Sequence, residues 1–331
     1  MDFFAPIQIE KLQPPIQYGD KILLMGSCFT EHIGNALAEH KFNVLQNPNG
    51  ILFDPASVCT SLVSYIENEP YKEYDLIYLN ELWQSWQHHS RFSGMDKQVV
   101  LKNLNESRAN AHEFLKTADW LIITLGSSFS YRLNDKNPDT KFNQLKVANC
   151  HRAPGQWFEK KMLTVEEIIT LLDNTYHRLR FFNANLKILF TISPVRHLRD
   201  GVVENNRSKA RLIEAVHHIV HKFPVASYFH AYELVIDVLR DYRFYDVDLA
   251  HPNYAATEFV LEKFTTNCID ETSQQLMNDV KQITIAKKHR PFQPGTNAHK
   301  AFLKAHYEKA KSLTEKYPFL NLNEEMEYFI S

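Results

Sequence analysis

The chain of 331 residues has few cysteines, and the four it has, Cys28, Cys59, Cys150 and Cys268, are far apart with no C-x-x-C pair. That spacing excludes a disulfide scaffold and a cysteine zinc site, and fits a reducing compartment. No apolar run approaches the ~20 residues that a membrane span needs. The opening stretch "MDFFAPIQIEKLQPP" has no basic segment leading into a long apolar one, so the expectation is a cytoplasmic chain with no membrane partner. Charge of one sign is missing too: 37 Lys and Arg against 39 Asp and Glu give a net charge of -2, which offers no attraction to nucleic acid. The densest basic run, "KKHR" at 287–290, reads as a solvated loop. Neither G-x-G-x-x-G nor G-x-x-x-x-G-K occurs, which removes the usual cradles for nucleotide phosphates. Internal repeats and low-complexity tracts are also lacking.

What is present is ordinary globular composition, 44% hydrophobic and 23% charged, in a chain long enough to bury a sizeable core. Short apolar runs alternate with helical patterns, the mark of βαβ units and a parallel sheet. The runs are "KILLM" (21–25), "FNVLQ" (42–46), "WLIITL" (120–125), "LKILFTI" (186–192) and "VASYFHAY" (225–232). A helix is expected over 29–40, where Phe29, Ile33 and Leu37 recur at helical spacing. Residues 51–118 read as an insertion over the strand ends. Another amphipathic helix is expected over 298–320, after the linker "RPFQPG" (290–295). The expected fold is a three-layer α/β/α sandwich with a flavodoxin-like parallel sheet over 1–275, followed by a helical extension at 276–331 packed on it. The sequence carries no signal for an oligomeric state.

In open parallel sheets function collects at the carboxyl ends of the strands. There the sequence delivers "GSC" (26–28), "NPNG" (47–50), "GSSFS" (126–130) and "SPVRH" (193–197). Farther on comes "DLAHPN" (248–253), with Asp248 and His251 spaced D-x-x-H. Pro252 suits the first turn of a helix, so His251 is placed just before one. A carboxylate three residues earlier can then fix the imidazole tautomer and free the other ring nitrogen as a base. Each motif alone is also what a helix cap or a small turn looks like; their order and placement together point to an active site.

With these residues in view, the chain resembles the SGNH/GDSL hydrolase superfamily, and within it the GSCFA family, to whose signature "GSCFT" is similar. "VANCH" (147–151), "SPVRHLRDG" followed by "ENNRSKA" (204–210), and "DYRFYDVDLAHPN" (241–253) carry the same resemblance, which spans about residues 20 to 260. It implies an SGNH hydrolase-like fold and ester chemistry through a Cys or Ser, His and Asp triad. In the G-D-S-L register Ser27 takes the aspartate position and Cys28 the nucleophile position, while Asp248 and His251 match D-x-x-H. Gly50 falls on the oxyanion-hole glycine, and Ser128 stands where the superfamily places an asparagine, with Asn149, elsewhere in the chain, as the other candidate amide. The register favours Cys28 over Ser27 as nucleophile. A helix N-terminus and a neighbouring imidazolium would favour its thiolate.

Other residues carry two readings each. Arg196 and His197 would meet an anionic substrate group, or Arg196 would pair with a carboxylate. His151 would line the pocket beside Cys150. Trp83, Trp86 and Phe92 would stack on a sugar or pack a core. His217 and His221, at i and i+4, read as a solvated patch rather than a zinc pair. The expected activity is ester hydrolysis or acyl transfer on a small-molecule or carbohydrate ester, with no metal or organic cofactor. The rival is a catalytically silent module that binds a glycan or acylated ligand on the same fold.

Overall fold

The computed structural model describes residues 6–330. Its first half runs β1 (Lys21–Gly26), α1 (Cys28–Glu39), β2 (Asn43–Gln46), α2 (Pro55–Glu67), a hairpin of β3 (Ile77–Leu79) and β4 (Leu82–Gln84), α3 (Lys97–Thr117) and β5 (Trp120–Leu125). Three short strands follow, β6 (Phe129–Leu133), β7 (Lys146–Val147) and β8 (Phe158–Met162), then α4 (Val165–Phe182), β9 (Lys187–Ile192), α5 (Gly201–Lys222) and β10 (Ala226–Phe229). A short helix α6 (Ala231–Glu233) runs into a π-helical turn at Leu234–Leu239. The chain then ends in α7 (Tyr254–Cys268), α8 (Glu271–Lys288), α9 (Asn297–Lys316) and α10 (Asn323–Ile330).

Five strands form one parallel sheet in the order β10-β9-β5-β1-β2. Counting only these five, the order is 2-1-3-4-5, the flavodoxin-like arrangement. Alternation along each strand builds two cores. Ile22 and Leu24 of β1, with Trp120 and Ile122 of β5, face α1, α7 and α8. Leu23 and Met25, with Leu121, Ile123 and Leu125, face α2, α3, α4 and α5. Both faces are covered, which is why these strands read as unbroken apolar runs. The protein is a three-layer α/β fold with a helical C-terminal region.

The stretch 51–118 sits differently from the expectation. Val58, Leu62 and Tyr65 of α2, with Ala111 and Leu115 of α3, are buried in the second core, so both helices belong to the body. The layer beyond the sheet is built instead from the β3–β4 hairpin and the antiparallel β7-β6-β8 sheet. At the other end, Glu325 of α10 is almost wholly buried and pairs with Lys41 at 3.0 Å and Lys287 at 3.2 Å. This clasp, with Ala310, Leu313 and Phe329 in the first core, docks the last two helices on the body.

Candidate active site

The centre of the site is the crossing from β1 to α1. Gly26 has φ +142°, and a Cβ there would lie 2.2 Å from the Thr124 carbonyl oxygen on β5. Only glycine allows this conformation and this approach. The Gly26 N–H donates to Asn47 Oδ1 at 2.9 Å, and Ser27 N–H donates to Thr124 O at 3.2 Å. Ser27 is the N-cap of α1: it has extended backbone, and its Oγ accepts from Phe29 N–H at 3.3 Å. It is 2% exposed and turned into the fold. Cys28 is the first residue of the helix and opens onto a cavity of about 470 Å³ that His251 also lines. The pair therefore divides into a buried cap and an accessible thiol.

His251 and Asp248 stand on a strap pinned at several points. Tyr245 bridges Pro252, Asp246 N–H donates to His251 O at 2.8 Å, and Arg196 N–H donates to Ala250 O at 3.0 Å. Asp248 Oδ1 accepts from the N–H groups of Ala250 at 2.9 Å and His251 at 3.0 Å, and Oδ2 lies 2.6 Å from His251 Nδ1. The His251 N–H first, then its imidazole, hold the Asp248 carboxyl down to about 2. A carboxylate only accepts, so Nδ1 carries the hydrogen and Nε2 is left as the basic nitrogen.

The thiol does not follow the simple expectation. Burial pushes Cys28 up, and the carboxylate of Glu31 adds to that. The N–H groups of Phe29 and Cys28 and the ammonium of Lys209 pull it down. The net direction is upward: the helix terminus expected to favour the thiolate is outweighed by desolvation.

Several expected partners are occupied elsewhere. The Gly50 N–H closes a turn on Asn47 O at 2.7 Å, and the residue must be glycine because φ is +82° and a Cβ would lie 2.2 Å from His89 Cβ. Ser128 is fully buried; its N–H donates to Ser208 Oγ at 2.7 Å and its hydroxyl to the same atom at 3.1 Å. Asn149 Oδ1 accepts from His151 N–H at 2.8 Å, and His151 Nε2 meets Ser85 O at 2.7 Å beside Trp86. These contacts spend the donors of Gly50 and Ser128 on turns and packing. They also place Asn149 and His151 with the small antiparallel sheet; neither is among the described residues that line the Cys28 cavity. Arg196 lies over the rings of Tyr242 and Tyr245, at 5.2 and 4.3 Å, rather than against a carboxylate. Among the described residues no His, Cys, Asp and Glu group could hold a metal ion. His217 and His221 remain a pair 6.1 Å apart on the surface of α5.

His197 stands beside Gly126 at the end of β5 and, among the described residues, is also not one that lines the Cys28 cavity. Its ring packs on Phe53 with centroids 4.7 Å apart, its N–H donates to Asn205 Oδ1 at 2.9 Å, and its Nε2 is buried without a partner. Burial, then the charges of Lys209 and His251, hold it down to about 4, so it is neutral at neutral pH.

Sequence reasoning singled out the segments that hold Asn47, Asn205 and Lys209 but gave none of the three a role. Lys209 is 1% exposed, and its Nζ donates to the carbonyls of Gly126 at 2.5 Å and Ser193 at 2.6 Å. The signal lay in α5. The buried stripe Ile219, Val216, Leu212, continued upstream at helical period, lands on Lys209 and Asn205. Polar residues on a stripe that must be buried mark a place where the fold keeps polar chemistry.

The sequence model of the GSCFA family matches residues 21–264, and that of the GSCFA domain protein, C-terminal domain, matches residues 280–331. The chain belongs to the GSCFA family. No curated protein matches it. Cys28, Lys209, Asp248 and His251 of this GSCFA protein all lie inside the first match, while the second takes in the second half of α8 and all of α9 and α10. No described helix is long and apolar enough to cross a membrane.

Proposed function

We propose that this GSCFA protein is an SGNH-type ester hydrolase or acyltransferase with Cys28 as nucleophile. One observation carries the reading: the thiol at the first turn of α1 and an imidazole held by a carboxylate at 2.6 Å line one cavity. His251 Nε2 takes the thiol proton, and Cys28 Sγ attacks the carbonyl carbon. The leaving alcohol or thiol departs with that proton, which leaves a thioester on Cys28. Water or an acceptor hydroxyl, deprotonated by His251, then attacks the thioester and restores the thiol. The N–H of Cys28, free of any intrahelical acceptor at this position, is the available donor for the oxyanion.

The cavity also speaks to substrate. It runs between α1 and α7 from Cys28 and His251 past Phe29, Ile33 and Leu261, with Asp246 and Glu258 at the rim. An apolar acyl chain fits this lining better than a carboxylated one. The sugar platform expected from the tryptophans is not here: Trp86 is buried in a separate small core, and Trp83 packs under Lys97. The binding-module reading draws its support from the raised Cys28 thiol and the committed Gly50 and Ser128 donors.

The experiment is a series of activated acyl thioesters of increasing chain length, followed by intact mass. Under the enzyme reading the acyl group is captured on Cys28. Cys28→Ala abolishes turnover, while Ser27→Ala loses it only in proportion to stability. Binding of acyl chains with no covalent capture and no turnover selects the binding module; full turnover in Cys28→Ala overturns the nucleophile.

A further inference from the structure

We propose that the groove leading away from Cys28 takes a linear saturated acyl chain of about eight carbons, and that Ala36 and Leu261 set this length. The inference rests on the reading of Cys28 as an acyl acceptor and names the chain it accepts. α1 begins at Cys28, and α7 begins at Tyr254, three residues after His251. Both helices therefore start at the site, and the cavity follows the seam between them. On α1 the seam is lined by Cys28, His32 and Ala36, one turn apart on one face. Eight residues of helix advance about 12 Å. On α7 it is lined from Tyr254 to Leu261, which is about 10 Å. A zigzag of C–C bonds of ~1.5 Å advances about 1.25 Å per carbon, so the seam holds about eight to nine carbons.

The floor of the seam is apolar and sealed, built from Phe29, Ile33 and Val195. The acidic side chains Asp246 and Glu258 are exposed at its edge. A chain lying on this floor removes apolar surface from water along its whole length, whereas a chain ending in a carboxylate would meet like charge. The far end is closed. His40 is next on the stripe of Cys28, His32 and Ala36, but it caps α1, with Nδ1 2.7 Å from Ala36 O. It lines a separate depression between α7 and α8. Leu261 and Glu258 line both cavities and so form the partition between them. Ala36 is the smallest side chain on the α1 wall, and Leu261 is half-buried on the partition. A larger residue at 36 fills the last turn of the seam, and a smaller one at 261 opens it into the next depression.

The test uses N-alkylmaleimides from ethyl to dodecyl, which probe the groove whether or not the protein turns over an ester. Cys28 Sγ, as the thiolate, adds to one alkene carbon, the neighbouring carbon takes a proton from solvent, and nothing leaves. Second-order rates at each cysteine are read by peptide mass spectrometry and divided by the rate of the same reagent with N-acetylcysteine. In the wild-type chain the Cys28 ratio should rise about two- to fourfold per methylene as far as octyl, then level off before dodecyl. Cys150, half-buried and not among the described residues that line this cavity, is the control. Ala36→Leu should leave the ethyl and butyl rates unchanged and bring the break point down to hexyl. Leu261→Ala should also spare the short reagents but carry the rise on toward dodecyl. A flat Cys28 profile, no labelling at any length, or the same profile at Cys150 overturns the proposal. So does an unmoved break point in either folded variant, and if neither folds the wild-type profile decides. A break point at Cys28 with no thioester turnover keeps the groove and discards the hydrolase. Turnover indifferent to chain length does the reverse.

Discussion

Gly26→Ala tests whether the turn that presents Cys28 is built as described. The new Cβ would stand 2.2 Å from Thr124 O, 2.8 Å from Thr124 C and 2.9 Å from Thr124 Cβ, at φ +142°. These are atoms of the adjacent central strand, so relief must come from the turn. Holding a non-glycine residue in this region costs about 1–3 kcal/mol. Moving it away strains three hydrogen bonds, Gly26 N–H to Asn47 Oδ1 at 2.9 Å and, at 3.2 Å each, Ser27 N–H to Thr124 O and Leu52 N–H to Gly26 O. Losing one or two of them costs about 1 kcal/mol each. The sum, about 2–5 kcal/mol, is a large share of a typical total of about 5–15 kcal/mol. Thermal unfolding should show a Tm lower by about 3–7 °C. In the fraction that stays folded, Cys28 should be alkylated at a changed rate, because its sulfur rides on the displaced turn. A variant with wild-type Tm and wild-type Cys28 reactivity would refute the reasoning.

Asp248→Asn removes the acceptor of His251 Nδ1 and should lower thioester turnover by about 10²–10⁴-fold, with Tm nearly unchanged because the pair is half exposed. Turnover at the wild-type level would show that His251 does not need its carboxylate. Asp248 is held at about 2, so what it contributes as an anion is lost only as pH falls through that value; an acid limb of wild-type activity above pH ~3.5 has to come from another group. His88 is buried neutral, with burial holding it down to about 3, and His197 lies at about 4. Their native values sit below the ordinary 6.5, so the unfolded chain binds protons first and stability falls as pH drops from ~6.5 toward ~4. His88→Leu should flatten that fall in Tm, and superimposable wild-type and variant Tm curves would refute the assignment.

The central sheet was legible because its strands are buried on both sides, and continuous apolar runs such as "WLIITL" map directly onto Trp120–Leu125. The Asp248–His251 contact was legible because three residues and one tight turn decide it locally. The small sheet was hidden by its own chemistry: β7 has two residues, and β8, "FEKKM", alternates with charges that face solvent. Expectations for the oxyanion hole failed to locate donors for a different reason. A register places a residue along the chain, but the direction of an N–H depends on what else it can reach. Gly50 reached Asn47, and Ser128 reached Ser208. The α5 stripe marks Lys209 as buried, but its partners are carbonyls beyond the ends of two distant strands, which no local pattern names.

The contrast between Ser27 and Cys28 shows how those levels combine. A capping residue has extended backbone and sends its oxygen back over the first helical N–H groups, while the next residue has helical backbone and points away. Ser27 does the first and is sealed at 2% exposure; Cys28 does the second and meets the cavity. Backbone geometry alone would serve equally well with serine at position 28. A serine hydroxyl, however, stays protonated at rest and needs His251 to take its proton during attack, whereas a thiol gives up its proton more readily. Substituting Cys28 by Ser therefore keeps the geometry and leaves every proton transfer to His251.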